Sequence, residues 1–268
     1  MTTFWQWYDR CGRTAELDWL IVALTPLTLL DLRLRPTKFD HFDWQMLDQL
    51  WQRHCHDRVP VQYLAGKTTW RDLELKVNAA VLIPRPETEL IIDIVQARVE
   101  PQGKWCDLGT GSGAIAIGLA RSFPQIQLWA VDISDSALQV AQENIDRYDL
   151  TDRICCVQGN WFDPLAPGLE GMVSNPPYIP SNMINSLAEV VKQEPLLALD
   201  GGEDGLAAIV HLIKEGKRFI RSGGFWLVEV MAGQAEIVAD MLSYHDYKDV
   251  MIHRDLQHID RFVSGFVP

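Results

Sequence analysis

The chain has 268 residues, of which 47% are hydrophobic and 22% are charged, an ordinary composition for a globular protein with a sizeable core. Its 24 basic and 36 acidic residues give a formal net charge of −12, which argues against a nucleic-acid partner bound through its phosphate groups. The longest apolar run, Leu17–Leu30, is shorter than the roughly 20 residues of a membrane span, and the first ten residues lack a signal-peptide pattern, so we expect a cytoplasmic protein with no membrane partner.

The sequence pattern of residues 1–62 predicts a small helical domain. Apolar side chains recur at three- and four-residue spacings in residues 15–34 and 39–55. The run His54-Cys55-His56 has residue types that bind metals, but neighbouring side chains on a helix point in different directions. Because no further ligand lies nearby in sequence, we predict no metal site.

The pattern changes at residue 63. Apolar and polar residues alternate, with Leu73, Leu75 and Val77 on one face, which predicts a β-hairpin within a linker spanning residues 63–84. The stretch "PRPETELIIDIVQARV" then predicts a helix, because prolines precede it and acidic residues fill its first turn.

From residue 103 onward, short apolar runs alternate with amphipathic segments, which predicts an α/β domain over residues 85–268. Helices are predicted at Ala114–Arg121, Ser136–Tyr148, Leu206–Arg221 and Gln234–Leu242. Strands are predicted at Trp105–Leu108, Leu128–Val131, Ile154–Val157, Met172–Ser174, Phe225–Val230, 248–255 and 261–267. This order predicts a doubly wound, mostly parallel sheet of seven strands that binds its ligand at the carboxyl ends of the strands.

The stretch "WCDLGTGSGAIAIGLA" joins a predicted strand to a predicted helix through a glycine-rich turn. Gly109, Gly111 and Gly113 allow a ligand to approach the backbone closely, and the helix offers free N–H groups. Asp132 follows about 20 residues later, where a carboxylate that binds ribose hydroxyls belongs. The glycines alone fit either NAD or S-adenosylmethionine. Asp107 favours S-adenosylmethionine, because a carboxylate suits cationic ammonium and sulfonium groups better than pyrophosphate.

The stretch "SNPPYIPS", residues 174–181, follows the fourth predicted strand of the sheet. Its two adjacent prolines cannot donate to a sheet ladder and hold the backbone rigid. The side-chain oxygen of Asn175 and the carbonyl of Pro176 are suited to accept both hydrogens of a planar NH₂ group. Such hydrogen bonds stabilise the transition state if they strengthen as the nitrogen attacks. Tyr178 can stack on the planar group that carries this nitrogen. The tetrad Asn175–Tyr178 therefore predicts methyl transfer to a planar amino group.

The tetrad and the glycine turn together resemble amino-group methyltransferases, which act on adenine N6 or on a glutamine amide. Five stretches narrow the choice: "RVPVQYLAG", "VLIPRPETE", "AVDIS", "SNPPYI" and "EP" with "GGEDGL" occur in that order. Over nearly the whole chain this set resembles the release factor glutamine methyltransferases.

The resemblance implies a Rossmann-like domain that transfers a methyl group from S-adenosylmethionine to N5 of the glutamine in the Gly-Gly-Gln motif of peptide chain release factors, producing S-adenosylhomocysteine. It implies an N-terminal domain that helps to hold the release factor. We further expect a monomer that binds no nucleic acid directly.

Carried over residue by residue, the resemblance assigns catalysis to Asn175, Pro176 and Tyr178. It assigns the substrate to Arg85, Asn175, Pro176, Pro177 and Tyr178. It assigns the cofactor to Asp107, Gly109, Thr110, Gly111, Ser112, Gly113, Asp132, Trp161 and Asn175, with Trp161 beside the adenine. Two positions depart from the family pattern, since Met231 and His258 stand where glycine is usual.

Three other functions use parts of the same pattern. An adenine-N6 methyltransferase acting on DNA or RNA shares the tetrad, but it predicts a basic groove or a target-recognition domain, and the sequence shows neither. An NAD-dependent oxidoreductase uses the glycine turn and gives the tetrad no role. A non-catalytic binding module would not need a complete set of pocket residues.

Overall fold

The computed structural model describes residues 3–36 and 42–268. Within these residues, the N-terminal helices are α1 (Phe4–Arg10), α2 (Ala15–Leu24), α3 (Leu29–Leu34), α4 (Trp44–Asp57) and α5 (Val61–Ala65). They pack around one core that contains Trp7, Leu20 and Trp51. The first predicted helical segment forms two helices because Pro26, which lacks an N–H donor, follows α2. Residues 39–41 of the second predicted segment lie outside the described residues.

The predicted hairpin is confirmed as β1 (Lys67–Trp70) and β2 (Leu73–Lys76), paired antiparallel. Leu73, Leu75 and Val77 are all buried. The side chain of Asn144 accepts from the Lys76 amide at 2.7 Å and donates to the Lys76 carbonyl at 3.0 Å. The same amide group donates to the carbonyl of Ser112 at 2.8 Å, so it links the hairpin to the glycine turn.

A short 3-10 turn at Glu87–Glu89 leads into the α/β domain. Its helices are α6 (Leu90–Arg98), α7 (Ala114–Ser122), α8 (Asp135–Arg147), α9 (Leu196–Leu199), α10 (Ala207–Phe219) and α11 (Ala235–Tyr244). Its strands are β3 (Gly103–Leu108), β4 (Ile126–Asp132), β5 (Ile154–Gln158), β6 (Leu169–Ser174), β7 (Ile220–Glu229), β8 (Lys248–Arg254) and β9 (Asp260–Phe266).

These seven strands of the described chain form one sheet in the order β5-β4-β3-β6-β7-β9-β8. Strands β3 to β7 are mutually parallel, and β9 runs antiparallel to both of its neighbours. Apolar side chains of α6 and α7 cover one face, and those of α10 and α11 cover the other. The predicted doubly wound, mostly parallel sheet is confirmed. Its order reverses between β3 and β6, which opens a crevice at their carboxyl ends.

One predicted helix was too long. Helix α10 ends at Phe219, whereas the sequence predicted that it would run to Arg221. Ile220 instead pairs with Leu169 as the first residue of β7 and is buried, which suits a β-branched side chain. Across residues 3–36 and 42–268, we find no helix with the length and apolar character needed to cross a membrane.

Candidate active site

The glycine turn after β3 forms one wall of a cavity at the carboxyl edge of the sheet. Gly109, Gly111 and Gly113 have φ angles of 74°, 54° and 81°, a region in which side chains other than glycine are strained. Gly109 and Thr110 donate their amides to the carbonyl of Val131 on the neighbouring strand, at 2.9 and 3.0 Å. These two bonds hold the turn against the end of β4.

Asp132 lines the cavity at the end of β4. One carboxylate oxygen accepts from the Gly111 amide at 2.9 Å, and the other accepts from the Ser134 amide at 3.0 Å. Burial raises the pKa of Asp132 above its ordinary value. A carboxylate has lone pairs for about four hydrogen bonds, so each oxygen retains capacity for a hydroxyl of the ligand.

Asp107 lies beneath the turn rather than among the residues that line the cavity. Its Oδ2 accepts from the Thr110 hydroxyl at 2.6 Å and from the Ala116 amide at 3.2 Å, and so ties the turn to helix α7. Its Oδ1 is buried and accepts no hydrogen bond from the described residues. Its negative charge suits a cationic ligand above it, and direct contact with a cofactor stays a prediction.

The charge of Asp107 is expected to make stability depend on pH. Burial raises the pKa of Asp107 from 3.8 to about 7, so between these values the folded state binds a proton that the unfolded state does not. Stability should therefore fall as pH rises toward 8. We expect Asp107→Asn to have a higher melting temperature than the wild type at about pH 8. The melting temperature of the variant should also change less than that of the wild type between about pH 6 and pH 8. Thermal denaturation at both pH values measures this, and equal pH slopes for the two proteins would contradict it.

Trp161 and its neighbours form a further part of the cavity wall, beside the glycine turn. Gly159, Asn160 and Trp161 all line the cavity, directly after β5. Trp161 has a φ of 52°, which is uncommon for a bulky residue. A Cβ atom added to Gly109 would lie 3.5 Å from the Trp161 ring, so the ring lies against the turn. Strained residues cluster at functional sites, which agrees with the predicted role of Trp161 beside a flat ligand.

Only part of the tetrad lines the cavity. Asn175 and Pro177 line the cavity, whereas Pro176 and Tyr178 are outside its lining as far as the described residues define it. Asn175 Nδ2 donates to the hydroxyl of Thr88 at 3.2 Å, and the Tyr178 hydroxyl donates to Glu229 at 3.1 Å. Asn175 is thus open to the cavity, and both its contact with a substrate and the stacking role of Tyr178 stay predictions.

The backbone of the tetrad is supported by the "GGEDG" stretch, whose role the sequence did not reveal. The Gly201 amide donates to the Ile179 carbonyl at 2.9 Å. The side chain of Gln234 donates to the Tyr178 carbonyl at 3.0 Å. A Cβ atom added to Gly205 would lie only 2.2 Å from that carbonyl oxygen. The available signal was the cluster of glycines, which often marks close approach of two backbones.

We expect Gly205→Ala to lower the melting temperature by several degrees and to reduce turnover, because the new methyl group would displace the Tyr178 carbonyl. Gly66→Ala is the matched control. Gly66 has a φ of 70°, close to the 78° of Gly205, but no atom lies within 4 Å of its added Cβ. Equal losses in the two variants, measured by thermal denaturation and methyl transfer, would assign the effect to backbone strain alone.

Arg85 is held by a buried partner. Its guanidinium donates to Glu194 Oε1 at 2.7 Å, and Glu194 Oε2 accepts from the Ile83 amide at 3.1 Å. The Glu194 side chain is 2% exposed, so this pair fixes the segment that brings Leu197 to the rim of the cavity. The structure gives Arg85 an anchoring role, and contact with the substrate stays a prediction.

Comparison with known proteins identifies the family. A family model described as "Methyltransferase small domain" matches residues 86–193. A release factor glutamine methyltransferase from Synechocystis sp. is 50% identical to this chain, covering 94% of the chain and 89% of that protein. The chain belongs to the release factor glutamine methyltransferase family. A further member of the family, from Thermosynechococcus vestitus, is 45% identical and covers 99% of this chain and 97% of its own length.

Solved structures agree on the fold of this family member. A methyltransferase from Pyrococcus furiosus has a TM-score of 0.55 at 14% identity, covering 84% of this chain and 98% of that one. The 16S rRNA N2 G1207 methyltransferase of T. thermophilus, in complex with AdoMet and guanosine, has a TM-score of 0.53 at 14% identity. The match covers 75% of this chain and 50% of that one. This chain therefore shares the Rossmann-like fold of these two methyltransferases.

Proposed function

We propose that this enzyme transfers a methyl group from S-adenosylmethionine to the side-chain amide N5 of the glutamine in the Gly-Gly-Gln motif of peptide chain release factors. Family membership supports the substrate. The observation that carries the chemistry is the shared cavity, in which Asn175 stands together with the glycine turn and Asp132. Methyl donor and acceptor amide would thus meet in one enclosed site.

The side chains around the cavity fit S-adenosylmethionine. Asp132 would bind its ribose hydroxyls, Trp161 would cover its adenine, and the amides of the glycine turn would hold its amino-acid end. The buried charge of Asp107, with one oxygen left without a hydrogen bond among the described residues, favours a cation close by. When bound, this cofactor supplies an electrophilic methyl group, whose S–C bond breaks as the N–C bond forms, leaving S-adenosylhomocysteine and a proton from the nitrogen.

The tetrad would make the substrate nitrogen reactive. An amide nitrogen is a weak nucleophile because its lone pair is delocalised into the carbonyl group. Asn175 Oδ1 and the Pro176 carbonyl would accept its two hydrogens, and both bonds would strengthen as the nitrogen loses planarity. Pro176 and Pro177 limit the movement of that backbone carbonyl. Asn175 would orient the substrate and would not remove its proton, since an amide is too weakly basic.

The N-terminal helices are proposed to help hold the release factor. Residues 1–62 would form this recognition domain, residues 63–84 the linker, and residues 85–268 the catalytic domain. On α3, Leu29, Leu30 and Leu34 are 56%, 61% and 69% exposed, which supplies an apolar surface for a protein partner. The net charge of −12 also favours a protein substrate over a nucleic acid.

The proposed function is tested with a tritiated methyl donor and a purified release factor. We expect label to enter the wild-type factor and not a factor whose Gly-Gly-Gln glutamine is changed to alanine. Adenine-containing DNA and RNA oligonucleotides serve as alternative acceptors in the same assay. Label in the oligonucleotides and in neither release factor would overturn the proposal in favour of an adenine-N6 methyltransferase.

A further inference from the structure

Two members of the tetrad are joined to one buried carboxylate outside it. Glu229 is the last residue of β7 and is 2% exposed. Its Oε2 accepts from the Thr88 hydroxyl at 2.6 Å, and its Oε1 accepts from the Tyr178 hydroxyl at 3.1 Å. The Thr88 oxygen also lies 3.2 Å from Nδ2 of Asn175. A continuous chain of hydrogen bonds therefore runs from Asn175 through Thr88 and Glu229 to Tyr178.

The chemistry of these groups fixes the direction of each bond. An ionised carboxylate only accepts hydrogen bonds, so the single hydroxyl hydrogen of Thr88 must point to Glu229. The Thr88 oxygen can then only accept from Asn175, which places the NH₂ end of the Asn175 amide against Thr88. The opposite end, Oδ1, is consequently the end left for a substrate. Reversing the amide would place its oxygen against the Thr88 oxygen with no hydrogen between them.

We infer that Thr88 and Glu229 are positioning residues, which hold the Asn175 amide with its oxygen toward the substrate nitrogen. This inference rests on the proposed function, in which Asn175 Oδ1 accepts a hydrogen from the glutamine amide. Thr88 is 3% exposed and lines the cavity, whereas Glu229 lies behind it. Neither residue needs to touch the substrate. Each acts through Asn175 or Tyr178.

The environment of Glu229 sets the conditions for a test. Burial raises the pKa of Glu229 to about 7, while hydrogen bonds from Thr88 and Tyr178 and the positive charge of Arg261 oppose that rise. The charge of Glu87 adds to it. Turnover is therefore measured at about pH 8.5, where the carboxylate is mostly ionised and the directional argument holds.

The decisive variants are Thr88→Val, which keeps the shape but removes the hydroxyl, and Thr88→Ser, which keeps the hydroxyl. With a release factor as substrate, we expect Thr88→Val to lower kcat by about 10- to 100-fold, because the Asn175 amide loses its fixed orientation. Thr88→Ser should restore kcat to within a few-fold of the wild type. Affinity for S-adenosylhomocysteine should be unchanged in both, since Thr88 acts on the acceptor side.

Thr68→Val is the matched control. Thr68 is 6% exposed in strand β1 and belongs to neither the tetrad nor its hydrogen-bond chain. It should retain wild-type kcat. Glu229→Gln is a second variant of nearly unchanged shape, in which a new NH₂ group faces the hydroxyl of Thr88 or Tyr178, and it should also lower kcat.

The results for these variants distinguish a failure of the inference from a failure of the proposed function. Wild-type kcat in Thr88→Val would overturn the inference, and so would equal losses in the valine and serine variants. A loss of S-adenosylhomocysteine affinity in Thr88→Val would assign Thr88 a general structural role and also overturn it. If instead the wild type fails to methylate the Gly-Gly-Gln glutamine, the proposed function itself is wrong.

Discussion

Asn175→Ala is expected to lower kcat by about 100- to 1000-fold while the enzyme still binds S-adenosylhomocysteine. The alanine removes the side-chain oxygen proposed to accept a hydrogen from the substrate amide. Because that bond would strengthen in the transition state, its loss should appear in kcat rather than in KM. Single-turnover methyl transfer to a release factor measures the rate, and calorimetry with S-adenosylhomocysteine measures cofactor binding.

Asn182→Ala is the control for this prediction. Asn182 is an exposed residue in the 3-10 turn Ser181–Ser186, on the same connection after β6. The control should transfer methyl groups at the wild-type rate. If Asn175→Ala retained more than about a tenth of wild-type kcat, the proposed activation of the substrate amide by Asn175 would be wrong.

Asp132→Ala should weaken the binding of S-adenosylhomocysteine by about 100-fold, because two charge-assisted hydrogen bonds to ribose hydroxyls are lost. The variant also loses the bond to the Gly111 amide, so the glycine turn should become less well ordered. Asp132→Asn should fall between alanine and the wild type, since it keeps one acceptor. The dissociation constant from calorimetry and the ligand-induced rise in melting temperature are the two readouts.

Asp135→Ala controls for the loss of an acidic side chain nearby. Asp135 is exposed at the first position of α8 and bonds to Gln139. Its removal should leave the dissociation constant unchanged. If Asp132→Ala lowered the melting temperature without changing the dissociation constant, Asp132 would support the turn and would not bind the ribose.

The parts of the fold with local sequence patterns were predictable. The unit from β3 through the glycine turn to α7 followed from an apolar run, three glycines and an amphipathic segment within about 20 residues. The end of α10 was not predictable in this way, because Ile220 and Arg221 continue an amphipathic pattern. Only pairing of Ile220 with Leu169 places the residue in a strand.

The residues that support the tetrad could not be predicted from the sequence, because they lie far from the tetrad along the chain. Thr88 lies between acidic residues at the start of a predicted helix, and Gln234 begins another predicted helix, so neither position indicated contact with the tetrad. Glu229 carried one usable signal: an acidic residue within the apolar run "FWLVEV", at the carboxyl end of a strand. A buried carboxylate at that edge of a parallel sheet points to the site.

The two departures from the family pattern have different structural consequences. His258 has a φ of 63°, the conformation that explains why glycine is usual there. Asp255 holds this turn, since its carboxylate accepts from the Gln257 and Ile259 amides at 2.8 and 3.0 Å. Met231 is not among the positive-φ residues, so it needs no glycine-like backbone. Its amide donates to the side chain of Gln234 at 2.9 Å.

The hydrogen bond between Thr88 and Glu229 spans 141 residues of sequence, whereas the bond between Gly111 and Asp132 spans 21. Closing the longer loop costs more chain entropy, and it requires β7 to have joined the sheet. During synthesis, Gly111 and Asp132 are therefore available to pair before Glu229 has been made. A chain that ends before residue 229 lacks the carboxylate to which Thr88 donates, so we expect the proposed orientation of Asn175 to depend on the completion of β7.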